Sequence, residues 1–101
     1  MDRKEKMNSL LEYTTKVSFP FMASEERKKR ILNETKDKID VELADLVDDK
    51  TVFESKKEIV WEEAKESACK EFSTLPNNLR LNSFYFQEVM HQYVEKMCKL
   101  L

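Results

Sequence analysis

His91, Glu95 and Cys98 stand at i, i+4 and i+7. That spacing puts three side chains of metal-ligating type on one helical face. No second cluster of ligands elsewhere completes a site, so the expectation is that no metal is bound. Cys69 or Cys98 beside His91 would give the two partners of a thiol nucleophile and its base. The chain offers no loop suited to an oxyanion hole and no third residue to orient the imidazole. The reading is therefore a chain with no catalytic residues, no cofactor and no small-molecule substrate.

The other chemically loud stretch is Arg27-Lys28-Lys29-Arg30. Four adjacent cations suggest phosphate contacts, and with Lys36 they make a nucleic-acid surface the alternative reading. A helix turns about 100° per residue, so four consecutive side chains spread round the cylinder and do not form one stripe. Carboxylates also lie in register. Glu25–Lys29, Glu26–Arg30, Arg30–Glu34, Glu34–Lys38, Lys36–Asp40 and Lys38–Glu42 are all four apart. The spacing predicts a ladder of surface ion pairs worth a few tenths of a kcal/mol each.

Helices must position all of these residues. The 101 residues include no glycine and two prolines. Without glycine, tight hairpin turns and phosphate-cradling loops lose their usual residue. Charged residues are 38% and apolar ones 41%, at a net charge of −2. That balance gives no overall attraction to nucleic acid or to an anionic membrane. No apolar run is long enough to span a bilayer, and no signal-peptide pattern opens the sequence. The expected location is the cytoplasm or nucleus, with Cys69 and Cys98 as free thiols. Asn33-Glu34-Thr35 matches a glycosylation acceptor, which that location leaves unused.

Apolar periodicity predicts an all-α fold: one compact four-helix bundle-like domain over 1–101, with two longer central helices. Helix one is expected at about 3–17, on a face of Met7, Leu10, Leu11, Thr14 and Val17. Helix two is expected at about 25–47, N-capped by Ser24, on Ile31, Leu32, Thr35, Ile39, Leu43, Leu46 and Val47. Helix three is expected at about 52–75, opened by a Thr51/Glu54 capping box and stopped at Pro76-Asn77-Asn78. Its face is Phe53, Val60, Trp61, Ala64, Ala68, Phe72 and Leu75, with Val52 and Ile59 off to one side. Helix four is expected at about 83–100, capped by Asn82 or Ser83, with Leu81 and Phe86 at the staple positions. The connector VSFPFM, 17–22, is apolar where loops are usually polar. It should plug one end of the core, or else adhere to another protein.

Helix four carries Phe86, Val89, Met90, Tyr93, Val94, Met97 and Leu100 on one arc of roughly 140°. Phe84 lies nearly opposite and Tyr85 on the flank. A helix so apolar is buried on several sides or turns one side to a partner. The functional expectation is a non-catalytic protein–protein interaction module, binding another protein or a second copy of itself. Trp61, Phe84, Tyr85, Tyr93 and Met97 are its candidate anchors.

The stretch KKEIVWEEAKESACKEF, Lys56 to Phe72, resembles the middle helix of Myb/SANT-like and MADF-type DNA-binding domains. The likeness rests on Trp61, Glu62, Glu63 and Phe72 and covers about a sixth of the chain. In that family the following helix is basic and reads DNA. Here the following helix holds only Lys96 and Lys99 within it, and the helices before residue 50 depart from the pattern. The DNA-reading role is therefore not carried over.

Overall fold

The computed structural model describes residues 2–76 and 81–100. These form four α-helices and no strand: α1 Arg3–Tyr13, α2 Glu25–Ala44, α3 Lys50–Glu71 and α4 Ser83–Leu100. The all-α class and the two longer central helices are as expected. Several helix ends differ, for local reasons.

Helix α1 stops at Tyr13, four residues short of the expected Val17. Thr14 and Thr15 are responsible. Their hydroxyls donate to the carbonyls of Leu11 at 2.6 Å and Glu12 at 2.7 Å. The backbone then tightens, with Thr15 and Lys16 N–H groups reaching carbonyls only three residues back. Threonine hydroxyls that compete for helix carbonyls favour such an exit. Ser24 caps α2 as predicted, accepting from the Arg27 N–H at 3.2 Å.

The cap of α3 is Asp49, not Thr51. Its carboxylate accepts from Thr51 N–H at 2.9 Å and Val52 N–H at 3.4 Å. An ionised oxygen at the positive end of the helix outcompetes a hydroxyl two residues later. At the other end α3 stops at Glu71, where Phe72 leaves helical geometry. Asn77 and Asn78 of the expected stop lie outside the described residues. Asn82 caps α4, its side-chain oxygen accepting from Tyr85 N–H at 2.9 Å.

Helix α4 is the axle, in contact with each of the other three helices. Val89, Met90, Tyr93, Val94 and Met97 have no exposed surface. Helix α3 lies antiparallel on it. Trp61 meets Tyr93 edge-on at 5.3 Å, Phe72 meets Tyr85 at 6.2 Å, and Lys96 reaches Glu63 at 3.9 Å. Ala64 and Ala68, both fully buried, give α3 a flat face on which large α4 side chains can sit. Helix α2 runs parallel to α4, tied by Lys28 to the Leu81 carbonyl and by Asp40 to Tyr93. Helix α1 runs antiparallel to α2, with Lys6 near Glu42 and Asp45 and Arg3 near Asp48. Leu100, expected on the buried arc, is about half exposed at the end of the bundle.

The corrected cap is directly testable. Asp49→Ala should cost about 1 kcal/mol in denaturant unfolding, while Thr51→Ala should change stability by no more than a few tenths. A larger loss at Thr51 would restore the capping-box assignment.

Candidate functional site

Four of the five expected partner anchors lie in the chain's own core. Trp61, Tyr85, Tyr93 and Met97 are buried among α2, α3 and α4. The apolar breadth of α4 reflects its central position, so in this fold their contact area is already used internally. Phe84 is the exception. It is 72% exposed and points away from the core, as its wheel position requires.

The connector after α1 divides into two halves. Val17 is buried, and Phe19 stacks on Phe86 with ring centroids 4.5 Å apart. The Phe19 N–H donates to Ser83 Oγ at 3.0 Å, and Gln87 Nε2 donates to the Val17 carbonyl at 3.0 Å. This half plugs the core, as one of the two expectations had it. The other half faces outward: Phe21 is 94% and Met22 85% exposed. They are the central residues of a turn closed by Ala23 N–H on the Pro20 carbonyl at 3.2 Å. Met22 holds φ at +64°, a left-handed conformation that favours glycine and costs a side-chain-bearing residue about 1–2 kcal/mol.

Beside this tip lies a hollow of about 440 Å³ between the end of α1, the end of α3 and the first turns of α4. Phe72 and Phe84 give it an apolar lining, and Glu71, Glu88 and His91 line it with polar groups. Tip and hollow share one end of the bundle, because Phe19 is bonded to Ser83, the neighbour of Phe84. A second groove, of about 450 Å³, runs between α1 and α2 past Tyr13 and Val41.

The expected ion-pair ladder on α2 does not form. Of the six spaced pairs only Lys36–Asp40 closes, at 2.8 Å. Glu42 turns instead to Lys6. Exposed pairs gain little Coulomb energy in water and lose side-chain entropy, so most stay open. Arg27, Lys29 and Arg30 are exposed and make no ion pair among the described residues. Lys28 leans inward, over the Phe19 ring at 5.6 Å.

Lys36 leaves the alternative nucleic-acid set entirely. It is only 5% exposed, with Nζ 2.8 Å from Asp40 and 3.1 Å from Glu58. The faces of Trp61 and Tyr93 lie 5.7 and 5.5 Å from the same nitrogen. The Tyr93 hydroxyl donates to the second Asp40 oxygen. Position 36 follows Thr35 and lies four before Asp40 on the edge of the buried stripe. That placement was the available signal for its burial.

His91 does meet Glu95, with Nε2 3.0 Å from the carboxylate, and its Nδ1 lies 3.4 Å from Thr14 Oγ1. Acid, imidazole and hydroxyl stand in the order of a nucleophilic relay. Thr14 is fully buried, however, and its proton goes to the Leu11 carbonyl. No nucleophile reaches the surface there. Lys99, with a smaller contribution from His91, holds the Glu95 carboxyl below its ordinary range. Among the described residues no group of three or more His, Cys, Asp or Glu is placed to hold a metal ion. Cys69 and Cys98 are free, and burial pushes the Cys98 thiol up. No helix among the described residues is long and apolar enough to cross a membrane.

Two outcomes test the buried node. Lys36→Met should cost about 3–5 kcal/mol by stranding Asp40, whereas Lys36→Met with Asp40→Leu should recover most of that loss in urea unfolding. The second concerns alkaline pH. Burial, then the bond to Asp40, raises the Tyr93 hydroxyl far above its ordinary value. The unfolded chain releases that proton near pH 10 while the folded protein keeps it. The Tyr93 contribution to stability should therefore be constant below about pH 10 and decline above it, and Tyr93→Phe should make the alkaline decline shallower. Tyr85, also raised by burial, carries part of the remainder.

Comparison with known proteins adds no relative: no family model matches the chain, nor does any curated protein or solved structure. The stretch Lys56–Phe72 accordingly stands on its own geometry, with Trp61 and Phe72 turned inward onto Tyr93 and Tyr85.

Proposed function

We propose that the protein is a non-catalytic protein–protein interaction module and that its contact surface is the bundle end bearing Phe21, Met22 and Phe84. One observation carries this reading. Two large apolar side chains stand in water at the tip of a turn whose leading flank, Val17 and Phe19, is packed onto the core. Adjacent large apolar side chains exposed at a loop tip, where loops are usually polar, mark a surface for another protein. The positive φ at Met22 supports it further, since strain of that kind collects at binding sites. Phenylalanine and methionine are also enriched at the cores of protein interfaces. The charged surface of α2 keeps the module in solution and orients the encounter.

A second reading has its own observation. Arg27, Lys29 and Arg30 are exposed and make no ion pair among the described residues, which leaves them open to phosphate. Their spread round the helix is against it, as is the loss of Lys36 to the core.

Affinity capture with the intact chain separates the two. A lysate is divided into nuclease-treated and untreated halves, and bound proteins are identified by mass spectrometry. Retention that survives nuclease and moderate salt, and that disappears with Phe21→Ser/Met22→Ser, is the expected result. Retention that vanishes with nuclease, or with Arg27→Gln/Arg30→Gln alone, would transfer the function to the basic run.

A further inference from the structure

The exposed features at this end of the bundle complement one another. The tip is apolar, and it leads into the start of α2, where Arg27, Lys29 and Arg30 are exposed and make no ion pair among the described residues. Glu25 and Glu26 stand just before them, where the helix N-terminus favours acids, and residues 25–30 together retain an excess of positive charge. The hollow is concave, lined by Phe72 and Phe84, and acidic. Glu71 has no ion pair among the described residues, and Glu88 accepts only from the Gln92 amide at 2.8 Å. At about 440 Å³ it falls within the usual range of pockets that enclose small groups, about 300–1,000 Å³.

We infer that this surface pairs with a second copy of the chain, the Phe21–Met22 tip of each copy seated in the Phe72–Phe84 hollow of the other. The inference rests on the protein-interaction reading and names its partner. Tip and hollow lie on the same end of one molecule, so a two-fold axis can bring both pairs together at once. The contact is then closed and isologous, which avoids an open head-to-tail chain. Arg27 and Arg30 of one copy come to the acidic wall of the other, Glu71 and Glu88, with opposite charges facing at both junctions. Phe21 and Phe84 from both copies bury roughly 150–250 Å² each. With Met22 the total is on the order of 1,000 Å², the low end for specific interfaces, as for a weak, concentration-dependent dimer.

Sedimentation equilibrium of the full chain over about 1 µM to 1 mM tests this. The expected result is a monomer–dimer equilibrium weakened at least about tenfold by Phe21→Asp and by Glu71→Lys/Glu88→Lys. Both variants alter exposed or rim side chains, and unchanged helical circular dichroism and melting temperature verify their fold. Mixing the two defective chains should restore part of the association, because the mixed pair regains one intact tip in one intact hollow. A chain that stays monomeric throughout overturns the self-pairing. If the capture experiment still retains a protein through Phe21, the interaction reading stands with a different partner; if it retains none, both fail. A dimer indifferent to Phe21→Asp, or defective chains that do not complement one another, also overturns the inference.

Discussion

One buried ion pair organises three of the four helices. Lys36 and Asp40 come from α2, Tyr93 from α4, and Trp61 and Glu58 from α3. Removing charges from water costs several kcal/mol per ion, which attraction repays only when every remaining donor and acceptor is used. Here they are used. The ammonium has two carboxylates and two aromatic faces, and the carboxylate has the ammonium and a phenol. Such a node stabilises less than an apolar plug of equal volume could, but it is directional. A slip of α2 by one turn along α4 would strand a charge, so the node fixes the register of the helix that carries the basic run.

That register matters at the other end of the bundle. Lys28 reaches the Leu81 carbonyl and covers the Phe19 ring, so α2 and α4 together clamp the connector between them. The clamp holds Val17 and Phe19 inside and forces the chain to reverse at Pro20. With no glycine available, the reversal falls on Met22 in a left-handed conformation. Exposure of Phe21 and Met22 is thus tied to the same packing that closes the core.

The helices and their buried faces were legible because periodicity of 3.6 is a strong, local signal. Leu32, Ile39 and Leu43, or Val89, Tyr93 and Met97, mark a stripe without reference to any neighbour. The competition between Asp49 and Thr51, or between Thr14 and its own helix, turns on single hydrogen bonds that spacing does not rank. Lys36 was harder still. Its charge reads as surface, and beside the local Asp40 it takes Glu58 and Tyr93 from distant parts of the chain to make burial tolerable. The candidate site was legible in part. Phe84 could be placed outside by its angle on the wheel, and VSFPFM was marked as unusual. Which half of that segment turns inward depends on Phe86 and Ser83, more than sixty residues away.

Helix α4 comes last of the four in sequence, yet it is the surface on which the others settle. The contact between Thr14 and His91 spans 77 positions. During synthesis α1, α2 and α3 therefore emerge before the element that covers their apolar faces. At about 5–20 residues per second, the 18 residues of α4 take roughly one to four seconds to complete. For that interval Trp61 lacks its native cover, Tyr93. A fold centred on its last helix thus leaves most long-range contacts to be made after the first three helices have been synthesised.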